Sequence, residues 1–184
     1  MMFTIIHGSH RHGYSWEIAC ALRIQLNVHH IEVMMIDLSV ANIDYCCGSQ
    51  DCQENECVYK YDDFSVSFKD QIINTDGIII ITPTYFNMPP AKLKNFIDRT
   101  NALLPILENT EKHTFFGAYV CGEADEESIN CNLNFLKEYA AIMGWKNVEQ
   151  LNVVECLTDS TKINSKIIKS IADLIYKELQ TKGE

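Results

Sequence analysis

A chain of 184 residues that is 47% hydrophobic can hide roughly 70% of its unfolded surface in one domain, here 1–184, without disulfide staples. Its net charge of −10, with no basic stripe, argues against a nucleic-acid or anionic-membrane partner, so any anion must be held locally. The opening apolar run ends at Gly8 without a basic lead, and no later run approaches the ~20 residues of a membrane span. The expectation is a cytoplasmic protein whose eight cysteines are mostly reduced.

Taken in order, the apolar run at 3–6 predicts a first strand, and the polar stretch Gly8-Ser9-His10-Arg11-His12-Gly13-Tyr14-Ser15 separates it from a helix over 16–27. A second strand follows at 31–36. Residues 42–61 then form a long polar excursion that carries Cys46, Cys47, Cys52 and Cys57, and loops of that length are usually functional. Asp62 or Asp63 could cap a helix over 64–74. The run Ile78-Ile79-Ile80-Ile81 shows no polar alternation, as expected of a central strand at 77–81 covered on both faces. Pro90 suits the first turn of a helix over 91–104. A strand at 115–120, a helix over 128–143 with Ser128 or an acidic neighbour as cap, a strand at 148–154 and a helix over 163–179 complete the chain. Five strands alternating with amphipathic helices predict an α/β three-layer sandwich, with a parallel sheet between helical layers.

Ligands of such sheets bind beyond the carboxyl ends of the strands, which selects three loops. The first, 8–15, joins strand to helix, where unpaired N–H groups and the helix dipole favour a phosphate; Ser9 and Ser15 add hydroxyls and Arg11 a fixed charge. It is neither the dinucleotide fingerprint nor a nucleoside triphosphate loop, and an ordinary solvent-facing turn stays open. The second, 82–90, combines Pro83, Pro89 and Pro90 with Tyr85 and Phe86, a stiff aromatic surface suited to a flat conjugated ring or to packing. The third contains Cys121 and Gly122, followed by Glu123, Asp125, Glu126 and Glu127.

Gly8-Ser9-x-Arg11 with Ser15, then Pro83-x-Tyr85-Phe86 followed by Lys94 and Asp98-Arg99, resembles the NAD(P)H-dependent FMN reductase branch of the flavodoxin-like proteins. The cysteine-bearing stretch ahead of Asp62-Asp63 is similar to that of iron–sulfur flavoproteins. The match spans the first hundred residues, while the last eighty agree mainly in strand–helix order. The resemblance implies a flavodoxin-like sheet of order 2-1-3-4-5, FMN as cofactor, NAD(P)H as co-substrate, a small-molecule acceptor and a homodimer or higher homo-oligomer. It puts the FMN phosphate on Ser9, Arg11, Tyr14 and Ser15, and the ring against Pro83, Thr84, Tyr85, Phe86 and Asn87, beside Cys121 and Gly122. It implies an FMN-dependent oxidoreductase passing electrons from NAD(P)H to a quinone, a flavin or a similar acceptor. An electron-transfer flavoprotein facing a basic partner and a cysteine-based redox-sensing module are the alternative readings.

The chain departs from that pattern in two places. Iron–sulfur flavoproteins carry four cysteines spaced two, two and then several residues apart, whereas here Ser49 takes the second position and Cys47 points the other way in extended chain. A [4Fe–4S] cluster is therefore not the expected state; a zinc site stays open, and free thiols or a disulfide of the Cys46–Cys52 type are preferred, so no metal ligand is assigned. Cys20, Cys131 and Cys156 are expected as buried small hydrophobes. The second departure is the run of carboxylates after Gly122, read as a charged helix start. A sharper reading has Glu123 or Asp125 near the flavin pyrimidine, where unit charges ~6 Å apart at a dielectric of ~20 would interact by ~3 kcal/mol and lower its potential. His7, His10 and His12 are expected as surface or phosphate-loop neighbours, and Lys94 with Asp98-Arg99 as a helix-surface ion pair or subunit contact. No acid–base side chain is required, and no catalytic residue is assigned.

Overall fold

The computed structural model describes residues 1–49, 51–54, 57–110, 114–122, 124–156 and 165–180. Strand β1 (Met2–His7) leads through the 8–13 loop into α1 (Tyr14–Val28), and β2 (Glu32–Asp37) into the insertion that carries the single turn α2 (Asp51–Glu54). A π-helical turn, Phe64–Phe68, runs into α3 (Lys69–Asn74) and β3 (Gly77–Pro83). Then come α4 (Ala91–Arg99), a 3-10 turn, Thr100–Leu103, α5 (Leu104–Leu107) and β4 (Phe115–Gly122). The chain continues through α6 (Glu126–Ile142), β5 (Lys146–Asn147), β6 (Val153–Cys156) and α7 (Ser165–Gln180). No helix among these residues is long and apolar enough to cross a membrane.

All pairings are parallel, in the order β2-β1-β3-β4-β5 with β6 also beside β4, so the expected 2-1-3-4-5 sheet is present. Alternation along the strands divides the core. Ile6, Ile78, Ile80, Phe116 and Val120 pack under the layer of α3, α4 and α6, and Phe3, Ile5, Ile79, Ile81 and Tyr119 under α1 and α7. The isoleucine run of β3 is buried on both faces, which is why it lacks a polar period.

The last strand position differs from the continuous strand expected over 148–154. It is broken into β5 and β6 by a 3-10 turn, Glu149–Leu151, that pushes Leu151 against the sheet. Gly117 makes room, since a Cβ there would lie 2.5 Å from that of Leu151. Asn152 bridges the break: its Oδ1 accepts from the Ala118 N–H at 2.9 Å and its Nδ2 donates to Asn147 and Val148, so the ladder donor at Ala118 keeps a partner. At the helix starts, Pro90 stands one position before α4, while Asp62 accepts from the Ser65 N–H and Asp125 from the Ser128 N–H.

The carboxyl ends of β1, β3 and β4 are tied together. Gly8 N–H donates to Ile81 O, the Thr82 hydroxyl to Gly8 O, and Thr84 N–H to Cys121 O. A side chain at position 8 would meet Leu93 at 2.6 Å, so glycine there permits the close approach. The three selected loops are thereby brought to one place at the switch point, where β1 has β2 on one side and β3 on the other.

Candidate functional site

A cleft of about 320 Å³ opens at that edge, lined by Ser9, Arg11, Gly13, Tyr14, Ser15, Pro83, Thr84, Tyr85, Cys121 and Gly122. Nine of the eleven residues selected from sequence line it. The other two, Phe86 and Asn87, continue the chain from Tyr85 at its mouth. Gly13 is the addition.

Glycine at 13 has a structural consequence. It occupies the N-cap of α1, where no side chain caps the helix, and Gly13 O accepts from Trp16 and Glu17. Arg11 folds its guanidinium to within about 3.5 Å of where a Cβ of Gly13 would stand, and its backbone N–H reaches Ser9 Oγ at 3.5 Å. Two hydroxyls, a guanidinium and a helix start without a side-chain cap thus gather at one cleft, groups that a phosphate can engage.

The opposite wall is a tight turn. Tyr85 and Met88 exchange both backbone hydrogen bonds, at 2.9 and 3.0 Å, and the two residues between them adopt left-handed backbone, Phe86 at φ 49° and Asn87 at φ 63°. Such a turn suits glycine and asparagine; a phenylalanine in it is strained, and its ring is wholly exposed. Tyr85 stacks on His10 with ring centroids 5.9 Å apart, joining the two loops. Asn132 of α6, fully buried, donates from Nδ2 to Pro83 O at 3.3 Å and braces the base of the turn. Thr84 Oγ1 is buried with no hydrogen-bond partner among the described residues. A buried hydroxyl left unpaired beside a cleft calls for a partner, which a water or a polar ligand can supply.

Sequence reading missed His7. It was expected at the surface or beside the phosphate loop; it does neighbour Ser15 of that loop, but alternation places it with Phe3 and Ile5 on the α1 face of β1, and it is fully buried. Its Nδ1 lies 2.9 Å from Asp37 Oδ1 and its Nε2 3.1 Å from Ser15 Oγ. His12 reaches the other oxygen of Asp37 and stacks on Trp16, centroids 4.1 Å apart. Burial pulls the His7 imidazole below its ordinary value against the pull of Asp37. Burial pushes the Asp37 carboxyl up, but hydrogen bonds from His7, His12 and Ser39 outweigh it and hold the group at about 2.

Residues 1–153 match the family model described as NADPH-dependent FMN reductase. The chain belongs to that family. An iron–sulfur flavoprotein of Clostridioides difficile is 30% identical over 108 residues, 56% of this chain and 48% of that protein. One of Archaeoglobus fulgidus is 29% identical over 96 residues, 52% of this chain and 43% of that protein. The chain spans about half the length of these curated relatives. Among solved structures, RosB with a bound 8-demethyl-8-formylriboflavin-5'-phosphate superposes with a TM-score of 0.73 at 13% identity, over 98% of this chain and 81% of that one. A WrbA-like flavodoxin from Agrobacterium tumefaciens gives 0.65 at 14%, over 98% and 97%. The fold is flavodoxin-like.

For a member of the FMN reductase family, the cleft fits the cofactor: a phosphate-complementary loop, a flat aromatic wall and an unpaired hydroxyl between them. The insertion does not fit a four-thiolate cluster. Cys46, Cys47, Cys52 and Cys57 are free thiols, Ser49 stands in the second ligand position, and no three of the four sulfurs lie within 4.8 Å of one another. Cys47 bonds instead with Ser49, and hydrogen bonds from that residue draw its thiol below the ordinary value. Burial raises the Cys52 thiol, with Cys57 and Cys46 near enough to add to it.

Other expectations are corrected here. Lys94 and Asp98 do form an exposed ion pair at 2.5 Å. Arg99 does not share it: buried at 2% exposure, it turns inward to pair with Asp62 and to donate to Asp44 O at 2.9 Å, Ser65 Oγ at 3.2 Å and Cys57 Sγ at 3.6 Å. Three-residue spacing from Phe96 was the signal that put it on the buried face of α4. Cys131 is exposed and Cys20 half-buried, while the side chain of Cys156 lies outside the described residues. Glu123 also lies outside them. Asp125 is the α6 cap, with Oδ1 accepting from Ser128 N–H and Oδ2 from the Ser128 hydroxyl, so the carboxylate run serves as a helix start there.

Proposed function

We propose that this chain is an FMN-dependent oxidoreductase that takes electrons from NADH or NADPH and passes them to a small acceptor such as a quinone or a flavin. One observation carries the reading: the uncapped start of α1 and the strained aromatic turn at 85–88 face each other across one cleft, in a chain that belongs to the FMN reductase family. Tyr14, the Ser15 amide, the Ser9 and Ser15 hydroxyls and Arg11 would hold the phosphate; Thr84 Oγ1 and the backbone of 86–87 would meet the ring edge. Tyr85 and Pro83, which line the cleft, would cover one side of the ring and leave the other to substrates. FMN, when bound, supplies the two-electron chemistry. The protein's task is orientation and exclusion of water, with no side chain moving a proton to the substrate.

The exposed Tyr85, Phe86 and Met88 beside the cleft offer apolar surface to the acceptor and to a second copy of the chain, consistent with a homodimer. The test is direct. Protein saturated with FMN should show the two flavin absorption bands and oxidise NADH or NADPH when a quinone or free flavin is present. Arg11→Ala should weaken FMN binding by roughly ten- to hundredfold, the loss of a charged hydrogen bond of about 1.5–3 kcal/mol. No FMN binding at all would overturn the proposal, and binding without nicotinamide turnover would favour an electron-transfer flavoprotein.

A further inference from the structure

We propose that His7, one layer behind the cleft, sets the direction of the Ser15 hydroxyl and so couples phosphate binding to the uptake of one proton. The inference rests on the reading of 9–15 as the phosphate loop. Ionised Asp37 has no proton to give, so Nδ1 of His7 must carry the hydrogen of their 2.9 Å contact. Nε2 of a neutral ring is then a bare acceptor. Its 3.1 Å contact with Ser15 forms only if the serine hydroxyl donates inward. The lone pairs of Ser15 Oγ are thereby left facing the cleft, and an arriving phosphate oxygen meets an acceptor where a donor is needed. Adding a proton to Nε2 leaves the Nδ1–H to Asp37 bond as it was and reverses the links beyond it: the imidazolium donates to Ser15 Oγ, and the serine hydrogen turns outward to the anion.

The surroundings of His7 support this. Asp37 faces it from β2 and His12 from the loop, with ring centroids 6.0 Å apart. α1 contributes Ser15 and the edge of Trp16, and brings Cys20 within electrostatic range of Asp37, its thiol kept protonated by burial. On β3 the register partner is Ile81, which is apolar. Burial keeps the free imidazole neutral near pH 7, while Asp37 stays ionised, so the proton is absent before the phosphate arrives and its site is prepared. A phosphate oxygen accepting from the Ser15 hydroxyl would then favour the charged ring, and linkage requires that a ligand raising a pKa binds more tightly as pH falls.

Calorimetry of FMN binding near pH 7.5, in buffers of different ionisation enthalpy, counts the protons; a phosphate monoester is already mostly dianionic there. The expected result is uptake of a large fraction of one proton per FMN, with Kd weakening by up to about tenfold per pH unit between the pKa of the free and that of the liganded His7, and levelling off above the latter. Riboflavin, which lacks the phosphate, should take up none. His7→Gln presents an amide in place of the titrating ring and should bind FMN without uptake; Ser15→Ala, which leaves His7 in place, should lose the uptake as well. Uptake that persists in either variant, or none in the unaltered protein, overturns the coupling. Nitrogen NMR of His7 separates this from the flavin reading, using inorganic phosphate as the probe. A His7 pKa raised by phosphate in a protein that does not bind FMN sustains the coupling and sinks the flavoenzyme; FMN binding with no shift at His7 does the reverse.

Discussion

A phenylalanine with its ring wholly in water gains no burial in return for a left-handed backbone, so Phe86 costs stability that something outside the fold must justify. Left-handed geometry costs an L-residue about 1–2 kcal/mol, and glycine recovers this less the ~0.5–1 kcal/mol of its greater chain entropy. Phe86→Gly should therefore raise the unfolding free energy by about 0.5–1 kcal/mol, measured by urea titration. The same change should weaken flavin or acceptor binding by up to roughly tenfold, the loss of an aromatic contact of ~0.5–1.5 kcal/mol. Gained stability with unchanged Kd and KM would leave the strain without a function. Residues such as Ser9, Arg11 and Tyr85 could be selected from the sequence as cleft residues because each lies in a loop just past a strand end, where the chain leaves the alternating apolar pattern of the sheet. His7 was not, because a polar residue closing an apolar run looks like its end; only the alternation with Phe3 and Ile5 shows that it points inward.

Among the elements, the insertion between β2 and α3 depends on α4 for its position. Arg99 joins Asp44, Tyr59, Asp62 and Ser65, and its pair with Asp62 is buried, with both side chains at 1% exposure. Asn95 of the same helix donates to Ile43 O at 3.0 Å. Removing the guanidinium leaves the Asp62 carboxylate buried without its cation, a loss of about 3–5 kcal/mol. Arg99→Met should show that deficit in chemical denaturation and expose Cys52 and Cys57 to faster thiol labelling; Arg99→Met with Asp62→Asn should recover part of the stability. An unchanged labelling rate would mean that the loop is held by other contacts. The alternating strands and helices were readable from periodicity because each fills one layer. The broken fifth strand was not, since it depends on Leu151 finding the gap at Gly117, a contact between residues more than thirty positions apart.

At the scale of the whole molecule, acid stability depends on groups that the fold holds away from their ordinary protonation. Both central groups carry the same sign. His7 is buried neutral with a lowered pKa, so the unfolded chain takes its proton first, and that contribution is full above about 6.5 and declines as pH falls below it. Asp37 is held at about 2 against an ordinary 3.8, so its contribution is full above 3.8 and is lost as pH falls through about 2. Asp62, drawn down by Arg99 and backbone donors against its burial, adds to the second stage. The net charge of −10 acts in the opposite direction, because mild acid first relieves self-repulsion, and comparison of variants at each pH cancels that background. Asp37→Asn should cost at most about 2.5 kcal/mol at pH 7, from ~1.4 kcal/mol per pH unit, and the cost should shrink towards zero near pH 2. His7→Gln should flatten only the decline that begins near 6.5. With FMN bound the imidazole is charged in the folded state, so saturating FMN should flatten the same stage in the unaltered protein; an identical pH profile with and without FMN would show that the phosphate and His7 do not communicate.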